Sequence, residues 1–367
     1  ILERNEQLVV WCLLGRKAGD NTQVLALAEE LGYGYEQKHI SARPWELLAH
    51  LGVGPTLAGI NRGDSSALQP PWPDLVISAG RRNEPVARWI KQQSGGRAKL
   101  VHMGRPWASL DCWDLVVTTP QYFLPQQPNI VHNSLPLHRL SRTQLAPAGE
   151  TLRPQIASLP RPWIALLVGG DSGRFVLTAA KGKRLGQLAN DLACACGGSL
   201  LVTDSPRTPV TAGNALEAGF TVPNYCYRWH SGEANPYHGL LALADAFVVT
   251  GESMSMLGEA AAMGRPLFIF DVGDDQPWWR LRHNYRYKPL SHRLAMHMGP
   301  PRMRRDVGNI QSALVSTGRA SWLDQAGIER AASEILQPGA CLPGQGSLAA
   351  LELESTAAAV RRLLTER

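Results

Sequence analysis

The sequence predicts an α/β protein of two domains, each built from a parallel sheet with helices on its faces. A chain of 367 residues is too long for one ordinary hydrophobic core. Apolar runs of strand length alternate with helical patterns in both halves, which is typical of parallel strands joined by crossover helices. Between the halves, residues 141–162 carry scattered Pro, Arg, Ser and Thr without periodicity. We therefore expect Rossmann-like domains at 1–145 and 163–340, a linker at 146–162 and a helical segment at 341–367.

The first domain opens with the apolar run Leu8–Leu14, the polar loop Gly15–Gln23 and the helical pattern Val24–Leu31. In an open α/β sheet, the loop after the first strand is a favoured ligand site. This loop offers glycines for close backbone approach, cations and a carboxylate. The alternative is an ordinary turn in which Asp20 or Asn21 caps the helix. The candidate site residues here are Gly15, Lys17, Gly19, Asp20, Asn21 and Gln23.

Further strands of the first domain are predicted by apolar runs at Leu75–Ser78, Lys99–Met103, Leu115–Thr118 and Asn129–His132. The loop Ser78–Pro85 places small residues and paired arginines before a predicted helix at Val86–Gln92. Arg81 in this loop either binds an anion or belongs to a solvated helix start.

The second domain restarts the pattern with the strand Trp163–Val168 and the small-residue loop Gly169–Gly173. Nucleotide phosphates need exposed backbone N–H groups without obstruction by side chains, and such a loop offers them at a strand end. An ordinary βα turn is the alternative. The candidate binding residues are Gly169, Gly170, Asp171 and Ser172. A helix at Leu185–Cys196, a strand at Leu200–Thr203, the polar loop Asp204–Pro209 and a strand at Tyr225–Tyr227 follow.

A βαβ unit late in the second domain gives the strongest indication of a ligand site. Phe247–Thr250 predicts a buried strand, a helix is expected from Ser255 to Gly264, and Pro266–Phe270 predicts the next strand. The first N–H groups of a helix lack intrahelical partners and the helix dipole is positive there, which suits a phosphate or diphosphate. The candidate residues are Ser253, Met254, Ser255 and Met256, with Glu259 one turn further on.

Composition narrows the class of protein. Hydrophobic residues make up 44% of the chain and charged residues 19%, as in a globular protein. The net charge of +6 suits an anionic partner, but this excess is modest and no nucleic acid is expected. No apolar run approaches the ~20 residues that cross a bilayer. The six cysteines show no repeated C-x-x-C spacing, which favours reduced thiols and a cytoplasmic protein.

The segment Arg280–Arg305 is strongly basic. It carries eight Lys or Arg and three His with no Asp or Glu, and Tyr285 and Tyr287 lie among them. Most such runs are solvated faces, but an asymmetric run also suits an anionic membrane surface, which would make the protein peripheral on the inner face of a membrane. At the other end of the second half, Leu348–Leu364 predicts an amphipathic terminal helix that packs across the domains.

Five ordered motifs resemble one known family, the family that includes the plant mitochondrial-fission factor of the elongated-mitochondria type and many bacterial proteins. These motifs are Gly15–Gln23, Val168–Gly173, Leu201–Pro209, Asn235–Tyr237 and Val249–Ala260. The family in turn is similar to the GT-B glycosyltransferases, which have two Rossmann-like domains facing a cleft. Gly251-Glu252 and Gly258 depart from the family pattern, which often has a small residue followed by Asp and a Ser at these places.

The resemblance implies that a nucleotide-sugar donor is held mainly by the second domain. In GT-B enzymes the helix after the late strand begins at the donor diphosphate, and an acidic residue on it binds the ribose hydroxyls; Glu259 is the matching position. A carboxylate accepts two hydrogen bonds from vicinal hydroxyls, so the chemistry of Glu259 agrees with that role. A solvated helix residue is the alternative.

We therefore expect a glycosyltransferase that uses a nucleoside-diphosphate sugar and needs neither cofactor nor metal. Its acceptor is expected to be a cell-envelope lipid or polysaccharide, and Asp20 is our choice of general base. No D-x-D motif of metal-dependent transferases occurs at a strand end. A non-catalytic scaffold that recruits a protein partner is the alternative from another class. A nucleotide-sugar epimerase lacks support, because no G-x-G-x-x-G fingerprint follows the first strand.

Overall fold

The computed structural model describes residues 8–43, 54–140, 142–172, 175–273, 298, 304–337 and 345–365. The chain divides into two compact units. Unit 1 comprises Ile1–Arg139, Gly299–Asp306 and Ala349–Arg367, and unit 2 comprises Leu140–Met298 and Val307–Leu348. The basic segment Arg280–Arg305 lies outside the described residues except for Met298, Arg304 and Arg305, so its proposed membrane contact stays a prediction.

Each unit contains one parallel sheet of six strands. In unit 1 the order is β2-β1-β3-β4-β5-β6, with strands at Val10–Leu14, Tyr35–His39, Leu75–Ala79, Lys99–Met103, Leu115–Thr118 and Ile130–His132, numbered β1 to β6 along the chain. In unit 2 the order is β12-β11-β10-β7-β8-β9, with strands at Trp163–Leu167, Ser199–Thr203, Asn224–Tyr227, Ala246–Thr250, Leu267–Phe270 and Ser321–Trp322, numbered β7 to β12. The predicted α/β class with Rossmann-like units is confirmed.

Helices connect the strands. Within the described ranges, the α-helices in chain order are α1 (Ala18–Leu31), α2 (Glu84–Gln93), α3 (Arg142–Ile156), α4 (Ala179–Cys196), α5 (Val210–Glu217), α6 (Tyr237–Leu243), α7 (Met254–Ala262), α8 (Gly308–Ser316), α9 (Ile328–Leu336) and α10 (Gln345–Thr365). No helix in the described part of the chain is long and apolar enough to cross a membrane.

The terminal helix α10 belongs to the core of unit 1. Its residues Leu353, Ala357 and Val360 are buried among side chains of the first strand and of α1. Two hydrogen bonds also hold α10 in unit 1: Asn133 Nδ2, after β6, donates to Thr356 Oγ1 at 3.1 Å, and the Arg361 guanidinium donates to the Glu30 carbonyl on α1. The last helix of the chain therefore completes the unit that the first strand begins.

Three local expectations need correction. Residues 142–156 form α3, where composition predicted a linker that extended to 162; the helix tolerates Pro147 and Pro154 and packs against α6. Helix α1 begins at Ala18, so most of the predicted loop Gly15–Gln23 is helical. Strand β2 escaped detection because its sequence YEQKH is polar and half-exposed, as an edge strand allows.

Helices α4 and α5 approach each other closely through glycines. A Cβ atom built on Gly182 would collide with the Ala212 carbonyl oxygen, and one on Gly186 would collide with the Leu216 carbonyl oxygen. The two glycines lie one turn apart on α4 and therefore share the face that α5 covers. Small residues at these positions bring the helix backbones together without a layer of side chains.

We expect Gly182→Ala to destabilise unit 2 although alanine favours helices over glycine by about 1 kcal/mol. Overpacking a close helix contact costs about 1–3 kcal/mol, so the free energy of unfolding should fall. Urea unfolding followed by circular dichroism measures it. Lys183→Ala, at the exposed neighbouring position, is the control and should be neutral or stabilising. A rise in stability for Gly182→Ala would contradict the close contact.

Candidate functional site

The candidate site of unit 2 lies where its sheet changes winding direction. Strand β7 is flanked by β10 on one side and β8 on the other, so the connections at the carboxyl ends of β7 and β10 diverge. Ligands of open α/β sheets bind in the crevice at such a point. The loop from Gly169 and the turn Gly251–Ser253 stand at these two strand ends.

The start of the β7 loop is held tightly against the β10 turn. The Gly169 N–H donates to Thr250 Oγ1 at 2.8 Å, and the Gly169 carbonyl accepts a hydrogen bond from Ser205 Oγ. A Cβ atom on Gly169 would collide with Glu252 Oε1 and with the Ser253 side chain. Glycine is therefore required here for close approach of the two strand ends. The sequence predicted that the N–H groups of this loop would be open to a phosphate, whereas the Gly169 N–H is bonded to Thr250.

The next loop residues are fixed by the loop after β8. Gly170 has a φ of +102° and no room for a side chain, because a Cβ atom would collide with the Arg207 backbone. The Asp171 N–H donates to the Arg207 carbonyl at 2.9 Å, and Arg207 Nη1 donates to the Asp171 carbonyl at 2.9 Å. Asp171 Oδ1 accepts from the Leu177 N–H at 2.8 Å, so this carboxylate ties the loop to itself. Ser172 also bonds within the loop, through backbone contacts with Phe175.

Helix α7 presents its first backbone N–H groups at the same strand ends. Ser253 is its N-cap residue, and no side chain forms a capping hydrogen bond there. The first N–H groups of a helix need partners from outside the helix, and here they belong to Met254, Ser255 and Met256. Ser255 and Met256 are half-buried, whereas Ser253 and Met254 are buried. The arrangement has the polarity and the open donors of an anion site.

Glu252 introduces a buried carboxyl directly before this helix. Its Oε1 accepts a hydrogen bond from Thr250 Oγ1 at 3.2 Å and lies 4.0 Å from Arg207 Nη2, whereas its Oε2 is buried without a hydrogen-bond partner. Burial raises the pKa of Glu252 above its usual value, and the Arg207 charge opposes that shift. The Glu252 carboxyl packs between the ends of β7 and β10, and the Arg207 guanidinium places a positive charge beside it.

Glu259 lies on α7, where the resemblance places the ribose ligand. Its Oε2 accepts a hydrogen bond from the hydroxyl of Tyr237, the first residue of α6. Burial raises the pKa of Glu259 to about 7, and the Tyr237 hydrogen bond lowers it. The phenol keeps one carboxyl oxygen in place, and the other oxygen is available to accept a hydroxyl. The role of Tyr237 becomes visible only in the structure, although its motif Asn235-Pro-Tyr237 stands out in the sequence.

The candidate loop of unit 1 also lies at a winding change, because β1 is flanked by β2 and β3. Asn21 binds Gly15 through both backbone groups, at 2.9 Å from the Gly15 N–H and 2.8 Å to its carbonyl oxygen. Gln23 donates to the Gly19 carbonyl at 3.3 Å, one turn earlier on α1. Asn21 and Gln23 therefore shape the start of the helix.

Asp20 stands in the first turn of α1 and points towards the end of β3. Its carboxylate would be 2.8 Å from a Cβ atom built on Gly80, whose φ is +74°, and it forms an ion pair with Lys17 at 3.5 Å. The Asp20 side chain is 32% exposed, which leaves it accessible to a ligand. Arg81, next along this loop, lies over the Trp107 ring, with its guanidinium carbon 5.0 Å from the ring centroid.

Sequence reasoning missed two charged residues beside these loops. Arg207 was noticed only as part of a polar loop, and its contact with Glu252 depends on the pairing of β7 with β8 and β10. Glu84 is buried at the start of α2, where it accepts hydrogen bonds from the Trp107 and Ala108 N–H groups at 2.9 and 3.0 Å. Burial raises the pKa of Glu84 to about 7. A carboxylate in a helix-start sequence gives no signal of such burial.

Among the described residues, no group of three or more His, Cys, Asp or Glu side chains is placed to hold a metal ion. The prediction that no metal takes part stays a prediction.

Comparison with known sequences identifies the family. The profile of the family described as "Mitochondrial fission ELM1" matches residues 18–299, which is most of the chain. This chain belongs to the mitochondrial fission ELM1 family. It is 25% identical over 272 residues to the mitochondrial fission protein ELM1 of Arabidopsis thaliana, covering 67% of this chain and 63%, less than two thirds, of that protein. It is also 21% identical over 299 residues to a protein of Rickettsia prowazekii, covering 71% and 82% of the two chains. The resemblance seen in the sequence is confirmed.

Solved structures with a similar fold include nucleotide-sugar enzymes. The glycotransferase of kitacinnamycin is 13% identical with a TM-score of 0.55, covering 97% of this chain and 98% of that one. The UDP co-structure of S. aureus MnaA is 9% identical with a TM-score of 0.51, covering 98% of each chain. The UDP-GlcNAc 2-epimerase of Methanocaldococcus jannaschii is 11% identical with a TM-score of 0.51, covering 98% and 100%. At such low identity the likeness shows the GT-B-like fold, and that fold is common to transferases and an epimerase.

The raised pKa of Glu259 predicts a pH-dependent contribution to stability. A carboxyl with a raised folded pKa binds its proton more tightly in the native state, so its contribution is full below about pH 4.5 and is lost as the pH rises through about 7. Glu259→Gln cannot ionise, so the variant should gain about 1–3 kcal/mol relative to the wild type between these pH values. Urea unfolding at both ends of the range measures the difference. Glu329→Gln, at an exposed helix position, is the control. A flat difference for Glu259→Gln would exclude the raised pKa.

Proposed function

We propose that this protein is a glycosyltransferase that binds a nucleoside-diphosphate sugar at the carboxyl edge of the unit 2 sheet, without a metal ion. The observation that carries the proposal is the start of α7, which has no side-chain cap and stands beside the Gly169–Gly170 loop at the change of winding. The first N–H groups of α7, those of Met254, Ser255 and Met256, have no partner within the helix and suit a phosphate at this place.

The diphosphate is proposed to bind at this start of α7. Its charge meets the positive end of the helix dipole, the hydroxyls of Ser253 and Ser255 and the guanidinium of Arg207, whose side chain is 29% exposed. These groups take the role that a divalent cation has in metal-dependent transferases, because they stabilise the charge that develops on the leaving diphosphate. The Glu252 carboxyl lies directly before this helix start, where burial raises its pKa and the Arg207 charge opposes that shift.

The nucleoside is proposed to extend from the diphosphate along α7. Glu259 accepts hydrogen bonds from the ribose hydroxyls with the oxygen that Tyr237 leaves open. Trp229, which is 42% exposed between β9 and α6, is our candidate for stacking on the base. Its backbone N–H is held at 2.5 Å by Asp204 Oδ1, so the ring sits on an ordered turn.

The acceptor is assigned to the carboxyl edge of the unit 1 sheet, with Asp20 as the general base. A general base must be reachable by the acceptor hydroxyl, and the accessible carboxylate of Asp20 at the end of β1 meets that condition within its own unit. Gly15, Lys17, Gly19 and Arg81 are proposed to line the same place. A lipid-linked or polysaccharide acceptor remains our proposal.

The family name supports a different candidate function. A fission factor can act as a scaffold that recruits a partner, without any nucleotide. A scaffold has no need to keep glycines that are free of side chains at the strand ends, whereas here Gly169 and Gly170 are demanded by close backbone contacts. Those contacts are also compatible with a fold kept for stability alone, so nucleotide binding is the property that separates the two functions.

We expect calorimetry in the presence of EDTA to detect binding of at least one of UDP, GDP, ADP and CMP. Glu259→Ala should weaken that binding by about tenfold to a hundredfold, because a buried hydroxyl left without its hydrogen-bond partner costs about 1–3 kcal/mol. Glu329→Ala serves as the matched control at an exposed helix position. Unchanged affinity in Glu259→Ala would overturn the ribose assignment, and an absence of binding by any nucleotide would overturn the enzyme and favour the scaffold.

With the donor identified by that screen, Asp20→Asn should lower kcat by about 10²–10⁴-fold and leave the affinity for the nucleotide unchanged, because the amide cannot take the acceptor proton. Steady-state kinetics of sugar transfer measure both quantities. Asp111→Asn, at an exposed position of unit 1, is the control. If Asp20→Asn retained full kcat, another group would have to be the base; turnover without any acceptor would indicate epimerisation or hydrolysis instead of transfer.

A further inference from the structure

Two guanidinium groups lie together where the loops after β4 and β5 meet in unit 1. Arg105 Nη1 donates to the Tyr122 carbonyl at 3.5 Å and to the Arg304 carbonyl, and the Arg305 guanidinium carbon lies 5.7 Å from the centroid of the Tyr122 ring. Arg305 Nε donates to Gln121 Oε1 at 2.7 Å. Burial and the neighbouring charge of Arg305 lower the pKa of Arg105 to about 10, although Tyr122 and Glu84 oppose the shift. An arginine with that pKa stays charged at neutral pH.

The Glu84 carboxyl, whose charge attracts Arg105, also accepts hydrogen bonds from backbone N–H groups. Glu84 is buried, receives the N–H groups of Trp107 and Ala108, and has a pKa raised to about 7. Its negative charge is therefore only partly developed at neutral pH. Both guanidinium groups contact Tyr122, and the charge of Arg305 acts on Arg105, so an anion bound beside Tyr122 would reduce the repulsion between them and gain charge-assisted hydrogen bonds.

Phe123, which follows Tyr122 in the chain, has an unusual conformation. Its φ of +53° is in the left-handed region that glycine and asparagine favour, and the residue is 52% exposed. A bulky residue is strained there without gaining burial, and such strain is typical of functional sites. The neighbouring loop after β3 also places a guanidinium group against an aromatic ring, since Arg81 lies over the Trp107 ring.

We propose that Arg105, Arg305 and the Phe123 ring bind a phosphorylated saccharide, which is the acceptor of the transfer proposed above. The phosphate lies between the two guanidinium groups, and a face of the sugar ring lies on the exposed aromatic ring. Arg105 follows β4, Phe123 follows β5, and Arg305 contacts Gln121 and Tyr122 in the loop after β5. These residues therefore share the carboxyl edge of the sheet with Asp20. The acceptor role rests on the proposed function; the binding site itself depends only on unit 1.

The test is binding of glucose 6-phosphate, inorganic phosphate and glucose, measured by calorimetry with UDP present in excess. We expect glucose 6-phosphate to bind more tightly than either fragment, because the site takes both parts of the molecule. Arg305→Gln should weaken its binding about tenfold, through the loss of a charge-assisted contact. Phe123→Asn should weaken it as well, yet raise the melting temperature, because asparagine tolerates the left-handed conformation. A merely structural Phe123 would change stability alone.

Arg97→Gln is the matched control, since Arg97 is exposed and precedes β4 at the opposite edge of the sheet. Wild-type affinity in both Arg305→Gln and Phe123→Asn, or an equal loss in Arg97→Gln, would refute the site. Phosphatidylcholine vesicles with and without phosphatidylinositol 4-phosphate then test the source of the phosphorylated ring. Arg305-dependent binding to the vesicles identifies a lipid headgroup, and Arg305-dependent binding of the free sugar phosphate alone identifies a soluble molecule. If UDP fails to bind while this dependence persists, the transferase proposal fails and the anion site stands.

Discussion

The close contact between the β7 loop and the β10 turn is the constraint on which unit 2 depends. The Thr250 hydroxyl accepts a hydrogen bond from the Gly169 N–H and donates one to the Glu252 carboxyl. This single hydroxyl therefore joins the end of β7 to the end of β10. The space that a side chain on Gly169 would need is filled by Glu252 and Ser253. Because these residues directly precede α7, the contact also fixes where the helix begins. Any ligand that uses the helix N–H groups therefore meets a preformed site, which reduces the entropy lost on binding.

Sequence patterns predicted the strands that are buried on both faces and the loops at their carboxyl ends, because a short apolar run between turn residues is typical of a strand that helices cover on both sides. Where the pattern carried no hydrophobic period, prediction failed: β2 is a polar edge strand, and α3 occupies a stretch rich in Pro and Arg. The role of Glu259 was suggested by resemblance and chemistry, but its bond to Tyr237 joins residues of two helices. Arg207 and Glu252 come together only through strand order, which the residues themselves do not encode locally.

The two units use different residues at the loop where the sheet changes winding direction. In unit 2 the glycines and the buried Glu252 carboxyl bring the end of β7 against the start of α7, whose first N–H groups have no side-chain cap. Unit 1 fills the corresponding place with side chains, since Asn21 occupies both backbone groups of Gly15 and Asn83 donates to the Leu13 carbonyl at 3.1 Å. Charged groups of unit 1 stand beside this place, at Lys17 and Asp20, and further along the same edge, at Arg81 and Arg105. A division between a backbone site for one substrate and a side-chain site for another agrees with a transferase that must hold two different molecules.

The position of α10 in the core of unit 1 has a consequence for how the protein is made. Leu353, Ala357 and Val360 cover apolar side chains of β1 and α1, which leave the ribosome more than 300 residues earlier. Unit 2 lies between these segments in the chain, so it can condense while unit 1 still lacks one wall. During translation part of the apolar surface of the early strands therefore stays uncovered until α10 is made. A chain truncated before this helix would contain a folded unit 2, whereas its unit 1 would expose apolar side chains and be prone to aggregate.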